Sequence, residues 1–287
     1  MKIGILASTE NHITDFYLGN QVIRHFDVPI ILVQRVRSRS TPELAEKVVE
    51  TVAKKGGRAL ISSVLDWSFE RQRQREIRQY LRNRFAELGE RAEYDSGPQV
   101  VLVDSIHDRL SLQILRDAGV TALFQNGAGI IRSPLIQLAR RGVVNVHHGF
   151  LPDIRGCQSI AWGLLEDRHE WIGVSVHLID EGIDTGPILK RQHLRAVDTD
   201  TYPPLFAKAT VLGGRLLVEA MHELAMGRVE VLARTSPGTY RSAMGRRHWL
   251  ALARKVSMAR AAGGDLHPRL RPSTGRSSFT NPPTPVM

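Results

Sequence analysis

The 287-residue chain has a single cysteine, Cys157, so no disulfide can form within it and an oxidising compartment is not indicated. Long apolar runs are missing as well: no stretch approaches the roughly 20 apolar residues of a spanning helix. The opening MKIGILAST has only a short apolar run with no basic segment leading into a longer one. A membrane partner is therefore not expected, and the cytoplasm is the expected compartment. The turn after the first apolar run, STENHI, lacks glycines, which disfavours a dinucleotide fingerprint and a nicotinamide dehydrogenase. No HExxH or CxxC spacing supports a metal site, so none is expected. No serine or cysteine stands beside a base at a spacing that suggests covalent catalysis.

Acid is scarce at one end. From residue 241 onward nine basic residues face one acid, Asp265, giving +8 of the total formal charge of +10. The preceding 240 residues are thus nearly neutral. A charge distributed this way fits a solvated tail better than a polyanion-binding surface, and nucleic acid is not expected as a partner. Beyond about residue 261 the chain is rich in Pro, Gly and Ser, and residues 261–287 are expected to be disordered.

What is present begins as a doubly wound α/β domain. Ile3 to Ala7 reads as a buried parallel strand, Asp15 to Phe26 as a helix and Val28 to Val36 as a second strand. Residues 41–90 interrupt the rhythm with a helical insertion, in which Phe69, Ile77, Tyr80, Leu81 and Leu88 recur near helical spacing and the arginines form a solvated face. The alternation resumes with strands at 99–105, 121–127 and 143–147 and helices near 108–118 and 133–141. A helix fits Ser159 to Glu166, strands fit Ile172 to Ile179 and Ile188 to Leu194, and a longer helix fits Pro204 to Met226. The expected fold is α/β, with a doubly wound, mostly parallel sheet. The expected organisation is a catalytic domain over 1–200, a helical extension over 201–260 and the tail.

The chemistry concentrates in NVHHGFLPDIRG at 145–156 and SVHLIDEGIDTGPI at 175–188. Residues two apart in a strand share a face, so Asn145 and His147 project together, near the carboxyl end of a strand where open α/β sheets place ligands. Gly182, Gly186 and Pro187 hold Asp180 and Asp184 in a loop that can reach the pair. An amide and an imidazole can stabilise a developing oxyanion, while a carboxylate orients the imidazole or accepts a proton through water. This combination fits acyl or formyl transfer to an amine by direct attack. His177 reads as structural, His148 as buried against a helix or exposed, and Asp180 equally as a turn former or a ligand.

Together, N-x-H-x-G-x-L-P-x-x-R-G and S-V-H-x-x-D-x-G-x-D-T-G-P-I resemble the formyltransferases that use N10-formyltetrahydrofolate. The resemblance covers the α/β body loosely and residues 124–190 closely. It implies catalytic roles for Asn145, His147 and Asp184, the trio that the spacing already proposes. It also implies a pterin pocket lined by Gly129, Ile130, Ile131 and Arg132, and by the loop from Leu178 through Asp180, Gly182 and Ile183.

Departures from the family's patterns narrow the acceptor. Glycinamide ribonucleotide enzymes carry a glycine-rich phosphate loop where this chain has Ser8, Thr9, Glu10, Asn11 and His12, and a glutamate there repels phosphate. Methionyl-tRNA enzymes add a carboxyl-terminal β-barrel, for which the text after residue 200 shows too little strand pattern. The expected partner is a small-molecule amine, a nucleotide-linked amino sugar before glycinamide ribonucleotide or methionyl-tRNA, with a homodimer left open. The rival from another class is a nucleic-acid-binding protein acting through its basic tail.

Overall fold

The computed structural model describes residues 1–36 and 57–262, with side chains described from residue 64 in the second stretch. Residues 41–56 of the expected insertion and 263–287 of the expected tail lie outside the described residues. Seven strands form one sheet in the order β3-β2-β1-β4-β5-β7-β8. These are β1 (Lys2–Ser8), β2 (Asp27–Gln34), β3 (Gln99–Val103), β4 (Ala122–Gln125), β5 (Val143–His147), β7 (Gly173–Leu178) and β8 (Ile188–His193). The first five run parallel, β7 is antiparallel to β5, and β8 is antiparallel to β7. The doubly wound, mostly parallel sheet expected from the sequence is the one observed.

Seven α-helices accompany the sheet among the described residues: α1 (Ile13–His25), α2 (Gly57–Glu87), α3 (Arg109–Asp117), α4 (Ser133–Leu138), α5 (Ser159–Leu165), α6 (Tyr202–Met226) and α7 (Arg246–Ala261). Both sheet faces are covered, which is why β1 is buried from Ile3 to Ser8 and reads as a continuous apolar run. One face packs Ile3, Ile5, Val144, Val146, Val174 and Val176 against Leu216, Leu217 and Met221 of α6. The other packs Leu6, Leu32, Leu123 and Val143 against Leu115 of α3 and Leu135 of α4. The alternation along β5 thus sends its even-numbered valines toward α6.

Helix limits follow local chemistry. Asp108 caps α3 by accepting from the Ser111 amide at 2.7 Å. Helix α6 begins two residues before the sequence expectation, with proline in its first turn, and stops where Gly227 takes φ 67°. Helix α4 stops at Leu138 rather than 141, because Ala139 leaves helical geometry with ψ 82°. In α2 the buried stripe is Ile77, Leu81 and Phe85, while Tyr80, and Leu88 just past the helix end, are exposed. Arg71, Arg75, Arg78 and Arg82 are solvated as expected, but Arg73 is not. Its guanidinium lies over the Trp249 ring of α7, 3.1 Å from the centroid.

A second, two-stranded sheet pairs β6 (Ile154–Gly156) with β9 (Thr239–Arg241) in parallel. It brings the segment before α7 against the loop that follows β5. None of the helices in the described residues is long and apolar enough to cross a membrane.

Candidate active site

Strand register assembles the site. Asn145 of β5 pairs with His177 of β7, and His147 pairs with Ser175. The odd-numbered side chains of β5 therefore face the same side as His177, and the loop after β7 carries Asp184 back over them. The Asp184 carboxylate sits 3.4 Å from His147 Nδ1 through Oδ2, and 3.5 Å from His177 Nε2 through Oδ1. Asn145 Nδ2 lies 3.1 Å from His177 Nε2. The structure thus brings together Asn145, His147 and Asp184, and adds His177, for which the sequence favoured a structural reading. The signal that would have found His177 is its position opposite Asn145, which requires the antiparallel register.

Hydrogen bonding fixes the orientation of these groups. His177 Nδ1 is 2.8 Å from the Leu178 carbonyl, so that nitrogen carries the proton and donates. Nε2 is then left to accept from the Asn145 amide nitrogen, which aims one Asn145 N–H at His177 and leaves the other available.

Three groups surround the other imidazole. His147 is buried, with Nε2 at 3.2 Å from the Ile154 carbonyl and 3.3 Å from Ser159 Oγ. In the neutral ring Nδ1–H points at Asp184 and Nε2 accepts from the Ser159 hydroxyl. A proton gained at Nε2 has the Ile154 carbonyl to donate to. Burial lowers the His147 pKa, the nearby Asp184 charge opposes the fall, and His177 adds to it. The ring is therefore a neutral base with an imidazolium state already provided with acceptors.

Asp184 is held ionised by its surroundings. Burial would raise its pKa, but His147 and the Gly156 amide at 2.8 Å hold it well below the usual carboxylate range. Its backbone has φ 53°, a left-handed conformation that Asp tolerates better than branched residues. Arg234 Nη2 donates to the Asp184 carbonyl at 2.9 Å, and Arg155 Nη1 donates to the Ile183 carbonyl at 3.1 Å. Two arginines thus fasten the loop from outside.

Space around His147 is set by small residues. A methyl at Gly149 would stand 2.5 Å from His147 Nε2, and one at Gly156 would stand 2.1 Å from the Arg241 carbonyl. A cavity of about 140 Å³ opens beside His147, walled by His148, Gln158, Ser159, Tyr202 and Phe206. His148 turns away from the trio toward α6, where Nε2 is 3.1 Å from Thr210 Oγ1 and the ring packs on Phe206. Its burial against a helix is one of the two alternatives that the sequence allowed.

The expected pterin residues divide by exposure. Gly129 has φ 85° with open space around it, Arg132 is exposed at the start of α4, and Ile130 is 77% exposed. Ile131, by contrast, is buried in the apolar layer against which Ile179 also packs, so both expected loops rest on one piece of core beside β5. In the second loop Asp180 accepts from the Gly182 amide at 3.0 Å and from Thr185 Oγ1 at 2.6 Å. That is a turn-holding arrangement. Gly182 is exposed, and Ile183 is 49% exposed. Elsewhere, Asp167, His169 and Asp198 bring possible metal ligands within 4.8 Å of one another, but Lys255 pairs with Asp167.

These features define a mostly parallel α/β fold with an amide, imidazole and carboxylate cluster at the carboxyl end of β5. Residues 117–221 match the family model described as Formyl transferase, so the resemblance read from the two motifs is found independently. A methionyl-tRNA formyltransferase of Anaeromyxobacter sp. (strain K) is 33% identical over 167 residues, covering 56% of this chain and 53% of that protein. One from Thermodesulfovibrio yellowstonii is 30% identical over 131 residues, covering 44% and 42%. The chain spans about half the length of these curated relatives.

Solved structures agree on the fold. A glycinamide ribonucleotide transformylase from Symbiobacterium toebii superposes with TM-score 0.52 at 18% identity, covering 82% of this chain and 92% of that one. A sugar N-formyltransferase from a Shewanella species superposes with TM-score 0.54 at 13% identity, covering 89% and 87%.

Proposed function

We propose that this chain is a folate-dependent formyltransferase that moves a formyl group from N10-formyltetrahydrofolate to the primary amine of a small acceptor, a nucleotide-linked amino sugar. The observation that carries the reading is the convergence of Asn145, His147 and Asp184 beside an open cavity, in a segment that matches formyl transferases. The exposed apolar side chains of Ile130 and Ile183 and the open turn at Gly129 suit the flat face of a pterin. Gly129, Ile130, Arg132, Asp180, Gly182 and Ile183 are the residues proposed to hold it, with Ile131 as floor.

The donor supplies the one-carbon unit. A bond forms from the amine nitrogen to the formyl carbon, the bond to the donor nitrogen breaks, and the proton lost by the amine is matched by one gained at that nitrogen. Asn145 donates its free N–H to the negative charge that develops on the formyl oxygen. His147 takes the proton of the attacking amine at Nε2, and Asp184 stabilises the resulting imidazolium. Residues 1–200 carry this chemistry in the proposal, and the extension 201–260 walls the acceptor side through Tyr202 and Phe206.

The test is a panel assay. Purified protein is offered N10-formyltetrahydrofolate with nucleotide-linked amino sugars, glycinamide ribonucleotide or methionyl-tRNA, and formylated product is read by mass spectrometry. Release of tetrahydrofolate only when an amino sugar is supplied supports the proposal. Formylation of methionyl-tRNA or glycinamide ribonucleotide alone replaces the acceptor, and no transfer to any amine removes the function.

A further inference from the structure

A second cavity, of about 510 Å³, opens between α2, the start of α6 and α7. Its walls include Arg73, Tyr80, Tyr202, Trp249, Leu252 and Val256. Two of its polar groups lack partners among the described residues: Arg73 Nε and Trp249 Nε1 are both buried, and neither makes a hydrogen bond there. Both are donors, and neither can accept. Leaving a buried donor unpaired is costly, so such a pair marks a place where an acceptor atom is missing.

The charge points the same way. Among the described residues Arg73 has no salt bridge, in contrast to Arg24, Arg241 and Arg246, each of which contacts a carboxylate. On α2, Glu70 accepts from Gln74 and Glu76 from Gln72, and both keep their negative charge near Arg73 without forming a salt bridge to it among the described residues. Glu76 is exposed at the cavity rim. Arg260, from α7, donates to the Thr199 carbonyl at the opposite wall. Burial lowers the Arg73 pKa to about 10, with Glu70, Tyr202 and Glu76 opposing the fall, so the group remains a cation at neutral pH.

The cavity neighbours the one beside His147 across a common side chain. Tyr202 lines both spaces. From His148 a row of rings runs outward: His148 to Phe206 at 4.5 Å, Phe206 to Tyr202 at 5.3 Å, Tyr202 to Trp249 at 5.4 Å, and Arg73 over Trp249. The aromatic row thus spans from the wall of the cavity beside His147 to the Arg73 cavity, with a cationic, donor-only group at its outer end.

We infer that the Arg73–Trp249 cavity binds the phosphoryl group of the acceptor, holding its amine end toward His147. The inference rests on the formyl-transfer reading for the amine, and on the cavity alone for the anion. The guanidinium fork suits phosphate oxygens, and the indole N–H adds a third donor. The row of rings then selects a cyclic spacer between phosphate and amine over a flexible alkyl chain.

The experiment is titration calorimetry on the full chain with inorganic pyrophosphate, UDP, dTDP and uridine, beside a parallel titration with 5-formyltetrahydrofolate. The expected result is binding of pyrophosphate or a nucleoside diphosphate but not uridine, weakened at least tenfold by Arg73→Gln. The same affinity is expected to survive Arg71→Gln, an exposed arginine two residues away that faces Trp67 instead. Trp249→Phe keeps the ring and removes the donor, so a loss of about threefold to tenfold in affinity is expected should Arg73→Gln fail to fold.

Unchanged phosphate affinity in folded Arg73→Gln, or no binding of any phosphate compound by the wild type, overturns the inference. Folate binding without phosphate binding removes this subsite and leaves the formyl-transfer reading in place. Phosphate binding that depends on Arg73 without folate binding does the reverse.

Discussion

Asp184→Asn removes one charge while keeping the size, the carbonyl-type acceptor for the Gly156 amide and a residue type that tolerates φ 53°. Its cost should therefore fall on His147 rather than on the fold. A carboxylate 3.4 Å from the imidazole stabilises an imidazolium by about 5 kcal/mol at an effective dielectric of about 20. Asp184 is 14% exposed, so part of this is screened, and about 3–5 kcal/mol is expected to remain. At about 1.4 kcal/mol per tenfold, kcat for formyl transfer should drop by about 10²–10⁴. Replacing a charge-assisted hydrogen bond from Gly156 by a neutral one should lower stability by no more than about 1–2 kcal/mol.

The pH profile supplies an independent sign. Burial lowers the His147 pKa and Asp184 raises it, so removing the charge must move the acid limb of kcat/KM to lower pH. The assay is stopped-flow release of tetrahydrofolate across pH 5–8, with melting followed by circular dichroism. A variant within about threefold of wild type, or an acid limb that moves upward, would refute the assigned role of Asp184.

Asn145→Ala should lower kcat by about 10²–10³ through loss of one oxyanion donor. His177→Ala should lower it less, and the double variant should be no worse than Asn145→Ala, because His177 acts through the Asn145 amide. Additive losses in a kinetic cycle would disprove that link. Gly149→Ala places a methyl 2.5 Å from His147 Nε2 and should cost at least about 10²-fold in kcat by displacing the ring, while 5-formyltetrahydrofolate binding persists. Burial lowers the His148 pKa to about 3. The unfolded chain therefore takes up a proton below about pH 6.5 that the folded one refuses, and this contribution to stability falls as pH drops. From pH 6.5 to 5 the loss should reach about 2 kcal/mol. His148→Gln should flatten the dependence of melting temperature on pH over that interval, and an unchanged slope would rule out His148 as its source.

Strand identity was legible because the inner parallel strands β2, β1, β4 and β5 are largely buried and read as apolar runs, and β3 keeps such a run although it is an exposed edge strand; Asn145 and His147 were legible because a period of two needs no partner strand. Strand direction was not: the antiparallel turn to β7 is a tertiary choice, and with it went the placement of His177 beside Asn145. The three-residue strands β6 and β9 carry no periodicity to detect. Arg73 reads as one more charge in RQRQREIRQ, since only α7 packing against α2 reveals that its face is covered. Asp184 could be named from its motif, while its grip on the Gly156 amide depends on a loop closure that local sequence does not encode.

The short β6–β9 pairing ties the amide that holds Asp184 to a strand more than eighty residues further along the chain. Gly156 faces the Arg241 carbonyl, the Cys157 amide donates to that carbonyl at 2.9 Å, and Arg241 forms a two-pronged pair with Glu166. A nick between α6 and β9 would leave every reacting group covalently intact yet release the buckle that keeps the carboxylate in place. In the proposed mechanism, positioning of the carboxylate would thus depend on the distal segment as much as on the strand that bears the histidine.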